Sequence, residues 1–168
     1  MATELHDLTV PVFVRGLRAL SGILEKGRAF ADEKSLLHGE LIEARLFDDM
    51  SPLPAQIQRA SDSAKNALIR LGGLDPFPLE DNETSFDELQ TRITRTIDFL
   101  ESVDPAAING KEDAEVVLQT PRGNIPFKGR DYVLGFALPN FYFHVTTAYD
   151  ILRHKGVPIG KLDYLGAR

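Results

Sequence analysis

The sequence predicts an all-α protein built as a four-helix bundle. Four stretches of the chain repeat apolar residues at steps of three and four, which is the spacing of an amphipathic helix. A long connection rich in proline and acidic residues separates the second stretch from the third, and a β-hairpin pattern precedes the fourth. Because each stretch has one apolar face, we expect none to be stable alone and all four to pack around a common core.

Two long helices are predicted in the first half of the chain. The first runs from Leu8 to Phe30, with Thr9 as a capping residue ahead of a proline in the first turn. Residues 35–45 predict a short helix. The second long helix begins after Ser51-Pro52 and ends at Gly72-Gly73. Its apolar stripe consists of Leu53, Ile57, Ala60, Ala64, Leu68 and Leu71.

The second half of the chain begins with the crossing between helices two and three. Residues 74–82 contain two prolines and several acids, so we expect a loop. The third long helix is predicted from Thr84 or Ser85 to Asp104-Pro105, with acidic residues in its first turn. Residues 114–128 then predict a small β-hairpin around Thr120-Pro121-Arg122-Gly123. The tail after residue 156 is expected to be irregular.

The most informative stretch runs from Gly129 to Gly156 and is predicted to form one long helix. Pro139 falls in its middle, where it removes an N–H group and crowds the carbonyl of Gly135, so we expect a kink there. Asn140 and His144 lie four residues apart and therefore project from one face. A polar pair beside a helix distortion is the best candidate site in the chain.

Composition limits the classes of function. The length of 168 residues predicts a single domain over residues 1–168. A net charge of −6 without any basic run argues against nucleic acid as a partner, and the lack of cysteine excludes thiolate chemistry and disulfides. The first residues do not form a signal-peptide pattern, and no apolar run is long enough for a membrane span. We therefore expect a cytoplasmic protein without a membrane partner.

The order of elements and the segments VPVFVRGLRAL and FALPNFYFHVTTAYDILRHKGVPIGKLDYLG resemble a known family. The architecture resembles the DinB/YfiT-like superfamily, whose members are regarded as metalloenzymes. More narrowly, the two segments look like an uncharacterised branch called domain of unknown function nineteen ninety-three. The superfamily resemblance implies three histidines that bind a divalent metal, and several members are thought to be thiol-dependent S-transferases that use a thiol such as bacillithiol or mycothiol.

This sequence departs from the superfamily pattern at the ligand positions. His144 falls at the last histidine of the pattern, but Asn140 replaces the histidine four residues earlier, and Gln56 is the nearest equivalent on the second helix. One imidazole and two neutral amides form a poor site for a first-row divalent metal. From the residues we expect no cofactor, while the resemblance alone implies a divalent metal such as Zn or Ni.

Each candidate residue has a functional and a structural interpretation. His144 is predicted as the catalytic residue or a metal ligand, or else as a buried histidine that Asn140 or Gln56 satisfies. Gln56, Asn140 and Tyr149 are predicted to bind substrate. Alternatively, Asn140 satisfies the carbonyl freed by Pro139, Gln56 lies at a helix edge and Tyr149 packs in the core.

Two charged positions have structural interpretations. Asp62 lies off the face of Gln56 and is either a solvated charge or the partner of a Lys or Arg across the bundle. His154 lies in the last turn of its helix, where positive charge complements the helix dipole.

Three functions remain open from the sequence. The first is small-molecule binding in a bundle cleft around a degenerate metal site lined by His144, Asn140 and Gln56, with transfer chemistry in which His144 moves a proton. The second is a non-catalytic scaffold, a homodimer that buries its aromatic FALPNFYF segment. The third is a divalent-metal-dependent S-transferase-like enzyme in which His38 or His6 completes the site.

Overall fold

The computed structural model describes residues 3–166, which are mostly helical. The elements in chain order are α1 (Leu5–Lys34), α2 (His38–Ile42), α3 (Leu53–Gly72), α4 (Phe86–Ser102), α5 (Pro105–Ile108), β1 (Glu115–Thr120), β2 (Gly123–Lys128), α6 (Gly129–Tyr132), a π-helical turn (Val133–Ala137), α7 (Leu138–His154) and α8 (Lys161–Leu165). The predicted helical fold with one hairpin is confirmed. The expected count of four applies only to the long helices α1, α3, α4 and α7, because short helices lie between and after them.

One hydrophobic core joins the long helices. Helix α3 packs along α7, α4 lies against both α1 and α3, and α1 crosses α7. Phe13 and Phe141 meet in this core with ring centroids 5.0 Å apart in an edge-to-face arrangement. Both rings are fully buried, and burial of a side chain of this size contributes about 1.5–3 kcal/mol to folding. The apolar stripes read from the sequence therefore face inward.

Helix α1 extends beyond the predicted boundaries at both ends. It begins at Leu5, which is buried, and Thr9 lies inside the helix instead of capping it. The Thr9 hydroxyl donates to the Leu5 carbonyl at 2.7 Å. The prediction of a cap at Thr9 is wrong because the apolar stripe starts one turn earlier. At the other end, Ser35 adopts a left-handed conformation with φ 54° and ends the helix.

The middle of the chain follows the prediction with small changes. Helix α3 ends at Gly72 and is capped by Gly73, which has φ 61°. Ser85 caps α4 by accepting a hydrogen bond from the Glu88 backbone N–H at 3.2 Å. The short helix expected over residues 35–45 covers only His38–Ile42. The hairpin is confirmed, with Val117 opposite Pro126 in an antiparallel pair.

The tail is more ordered than predicted. Residues from Lys161 to Leu165 form a short helix, which corrects the expectation of an irregular segment. Lys26 of α1 forms an ion pair with Asp163 at 2.5 Å, and the Arg15 guanidinium donates to the Leu165 carbonyl at 2.9 Å. These contacts hold α8 against α1.

The last long helix contains a π-helical turn where the sequence predicts a kink. The Leu138 N–H donates to the Val133 carbonyl, five residues back, instead of the usual four. Pro139 follows at the start of α7; it has no N–H, and its ring would crowd the Gly135 carbonyl in a regular α-helix. The turn widens the helix by one residue at this point. The distortion therefore lies just before Asn140, as expected, and takes the form of a π-helical turn.

Within residues 3–166, none of the helices combines the length and the apolar character that a membrane span requires.

Candidate polar site between two helices

Three pairs of polar side chains join α3 to the last helical segment, and we call this set the polar seam. His144 Nδ1 lies 2.8 Å from Gln56 Oε1, and Asn140 Nδ2 donates to Ser63 Oγ at 2.6 Å. Farther along, the Arg70 guanidinium donates to the Tyr132 hydroxyl at 2.9 Å. The positions on α3 are seven residues apart and so lie along one face of the helix. The structure thus brings Gln56, Asn140 and His144 to one interface.

The Gln56 side chain fixes the tautomer of His144. Its amide nitrogen donates to the Ser51 carbonyl at 2.9 Å, so its oxygen is the atom that faces the imidazole. An amide oxygen accepts a hydrogen bond and cannot donate one, so the proton of the neutral ring lies on Nδ1. The lone pair of Nε2 is then available to an incoming group. This is the orientation in which an imidazole acts as a base or as a ligand.

Burial keeps His144 uncharged at neutral pH. The residue is only 8% exposed, and burial lowers its pKa from 6.5 to about 4, with a smaller effect from the positive charge of Arg59. The ring is therefore a neutral hydrogen-bond acceptor at pH 7. It cannot act as a charged anchor for an anion.

This lowered pKa makes stability depend on pH. Between about pH 4 and pH 6.5, the unfolded chain binds a proton at His144 and the folded chain does not. The contribution of the neutral, buried His144 to stability is therefore complete above pH 6.5 and is lost as the pH falls toward 4. We expect the free energy of unfolding to fall by up to about 1.4 kcal/mol per pH unit from this residue. Urea unfolding of wild type and His144→Asn across this range measures the difference.

Asparagine is chosen because its amide N–H occupies the place of Nδ1 and keeps the bond to Gln56. His154→Asn is the matched control, since His154 is exposed in the last turn of α7. Parallel pH profiles for wild type and His144→Asn would contradict the interpretation that His144 is buried and neutral.

The other predicted site residues have different surroundings. Asn140 donates to Ser63 and not to a carbonyl freed by Pro139, and the Ser63 hydroxyl donates to the Arg59 carbonyl at 2.7 Å. Tyr149 is half-buried beside Tyr164, with ring centroids 6.0 Å apart. It follows His144 by five residues, which turns it about 140° around the helix axis. The structure therefore does not place Tyr149 in the polar seam.

The donor atoms at this site do not fit a tightly held metal ion. The Gln56 oxygen is engaged by His144 Nδ1, and the Asn140 amide nitrogen is engaged by Ser63. One imidazole nitrogen and the Asn140 amide oxygen remain, and neutral amides bind divalent metals weakly. In the described part of the chain, no three His, Cys, Asp or Glu side chains are grouped so that they could hold a metal. His38 lies beside Asp32 at 2.7 Å instead, and the His6 backbone donates to Asn109.

The main cavities along residues 3–166 lie away from this polar site. The most prominent is an open groove of about 760 Å³ along α1 and α8, bordered by residues that include Val14, Arg15 and Asp163. None of the five main cavities along residues 3–166 is lined by Gln56, Asn140 or His144. These cavities therefore do not include a pocket at His144.

A second polar cluster lies on the other side of α3. The Arg92 side chain is only 1% exposed and contacts Asp62 at 3.1 Å, Asp81 at 2.9 Å and Glu83 at 2.8 Å. Asp62 also pairs with Lys65 at 3.1 Å, one turn along α3, so its contact with Arg92 on α4 is the pairing across the bundle that the sequence allowed. Burial raises the pKa of Glu83, but hydrogen bonds from Arg92 and Gln58 outweigh this and hold it below its usual range. This cluster ties the crossing loop to α3 and α4.

Comparison with known proteins agrees with the fold. Residues 5–165 match the model of DUF1993, a domain of unknown function. A crystal structure of a DinB family member protein from Shewanella denitrificans superposes with a TM-score of 0.89 at 39% sequence identity. The match covers 98% of this chain and 93% of that one. No curated protein matches this chain.

Proposed function

The chain belongs to the DUF1993 family and has a DinB-like fold, and from this premise we propose that it binds a small molecule at the open edge of the polar seam. His144 accepts a hydrogen bond or a proton from that molecule at Nε2, and no metal takes part. The observation that carries this proposal is the bond between Gln56 and His144, which holds the ring by Nδ1 and leaves the Nε2 lone pair without a hydrogen-bond partner among residues 3–166. A cytoplasmic location, expected from composition, belongs to the same proposal.

The chemistry of the pair supports transfer of a proton. A histidine that donates from one nitrogen to a fixed oxygen keeps the other nitrogen oriented as an acceptor. Such a ring acts as a general base when a donor group comes within about 2.6–3.2 Å. Gln56 then orients the base, and Asn140 borders the site from one turn earlier on α7. In this proposal the four long helices form a four-helix bundle that serves as the rigid support.

A ligand screen by thermal shift tests the proposal. Zn²⁺, Ni²⁺ and Mn²⁺ are titrated alongside a set of small organic molecules against wild type, His144→Asn and the control His154→Asn. A ligand that binds the folded state stabilises it by about 2.7 kcal/mol when it is present at one hundred times its Kd. We expect no His144-dependent stabilisation from the metals. We expect at least one organic ligand to stabilise wild type and His154→Asn but not His144→Asn.

Two results would contradict this proposal. Stabilisation by a metal that disappears in His144→Asn would identify His144 as a metal ligand and would favour the S-transferase-like function. A screen in which every active organic ligand acts equally on wild type and His144→Asn would remove His144 from the binding site.

A second candidate is the non-catalytic homodimer. The outer face of the last helical segment exposes Leu134 by 44%, Tyr142 by 38% and Phe143 by 57%. A second copy of the chain that covers this face would shield these side chains from water. Sedimentation equilibrium of the purified protein decides this candidate, because a strict monomer excludes it.

A further inference from the structure

We infer that the His144 site selects small organic carboxylates and that Arg59 supplies the charge that binds them. This inference rests on the proposed function and names its ligand class. The ligand carries its carboxylate toward Arg59, a hydrogen-bond donor toward His144 Nε2 and an apolar body along Phe143.

The position of Arg59 on α3 carries the first part of the argument. Arg59 follows Gln56 by three residues and precedes Ser63 by four, so it lies between two pairs of the polar seam along the helix axis. In an α-helix these steps turn the side chain about 60° and 40° away from those two positions. Arg59 is exposed, and its carbonyl accepts the Ser63 hydroxyl, so its backbone is part of the seam. Arg59 therefore lies on the exposed side of the seam, between Gln56, which contacts His144, and Ser63.

The charge of Arg59 is available to a ligand. Arg18, Arg28 and Arg92 each form an ion pair with a carboxylate, whereas Arg59 forms none with another residue of the 3–166 range. Its positive charge also helps to lower the pKa of His144. A cation without a carboxylate partner beside a neutral acceptor favours a group that is anionic and also carries a proton to donate.

An aromatic side chain supplies the third side of the site. The Phe143 ring lies 5.2 Å from the His144 ring, centroid to centroid, at an angle of 88°. Phe143 is 57% exposed, so it presents a face that an apolar group can cover. Together, Arg59, His144 and Phe143 offer a cation, an acceptor and an apolar surface within one turn of each helix.

Two probes of the same shape test this inference. The carboxylate is 4-hydroxybenzoate and the uncharged counterpart is 4-hydroxybenzamide, each titrated into the full chain and followed by NMR at pH 7.5. We expect the carboxylate to bind wild type about tenfold more tightly than the amide, a difference of about 1.4 kcal/mol. Arg59→Gln should remove this preference and leave the affinity for the amide unchanged. Arg122→Gln, which removes an exposed charge at the hairpin turn, should retain it.

The outcomes separate this inference from the proposed function. Equal binding of the two probes to wild type, or a preference that survives in Arg59→Gln, overturns the selection by Arg59. If both probes then still lose affinity in His144→Asn, the proposed function stands without its anion specificity. Failure of both probes to bind at about 10 mM overturns the inference, because such binding would be weaker than about 3 kcal/mol.

Discussion

Replacement of Phe141 by alanine is expected to lower the free energy of unfolding by about 3–5 kcal/mol. The Phe141 side chain is fully buried, lies edge-to-face with Phe13 and fills the space above Gly16 of α1. Its removal leaves a cavity at the crossing of α1 and α7. Urea unfolding monitored by circular dichroism measures the change, and Phe143→Ala on the exposed face of α7 is the control, with a loss of about 0.5 kcal/mol or less.

The contact between Phe141 and α1 can also be tested by substitution of Gly16 on α1. A Cβ at this position would lie 2.5 Å from Phe141 Cε1, so Gly16→Ala alone should destabilise the protein by about 1–3 kcal/mol. In the Phe141→Ala background the clash is absent, and alanine gains about 1 kcal/mol of helix propensity over glycine. We therefore expect Gly16→Ala to change sign between the two backgrounds. Additive effects of the two substitutions would show that the helices do not cross as described.

Replacement of Arg92 by methionine is expected to cost about 3 kcal/mol, the lower end of the range for removal of one partner from a buried ion pair. Glu83, with a side chain 8% exposed, would lose its partner inside the protein, whereas Asp62 and Asp81 are exposed enough to be rehydrated. The substitution also removes the Arg92 Nε atom, which is buried without a hydrogen-bond partner. Removal of this unsatisfied polar group offsets part of the loss in the free energy of unfolding.

Urea unfolding near pH 7 measures the effect, with Arg95→Met on the exposed face of α4 as the matched control. Arg95 lies over the Phe77 ring at 5.8 Å, so its replacement should cost about 1 kcal/mol or less. Arg92→Lys keeps the charge without the forked geometry and should fall between wild type and Arg92→Met. A change below about 0.5 kcal/mol for Arg92→Met would show that Glu83 is hydrated without it.

The sequence predicted the long helices well because each has a regular apolar stripe. The stripe of α3 and the glycine pair after it located that helix to within two residues, and the start of α4 was predicted at Thr84 or Ser85, of which Ser85 is the cap. Thr9 was misassigned because a threonine before a proline has the same local pattern inside a helix, where its hydroxyl bonds the Leu5 carbonyl. The short helix α8 was missed because five residues carry too little periodicity; contacts with α1 stabilise it.

The polar seam was only half predictable. The four-residue spacing of Asn140 and His144 pointed to a shared face, and the family pattern suggested Gln56. Ser63 and Arg70 were missed although they follow Gln56 at seven-residue steps, because polar residues at that spacing are also common on exposed helix faces. Arg92 was missed because one charged residue beside an apolar stripe gives no sign of burial. The helix that packs against a given polar residue is determined by tertiary packing, and no local sequence pattern specifies it.

The π-helical turn restricts how the length of this chain can change in evolution. From Asn140 back to Tyr132 there are eight residues, whereas their partners Ser63 and Arg70 are seven apart, and the turn absorbs the extra residue. Deletion of one residue between 133 and 137 would rotate α6 and the hairpin by about 100° around the helix axis. Insertions and deletions should therefore accumulate in the crossing loop and the hairpin turn, while the segment from Tyr132 to His144 keeps its length.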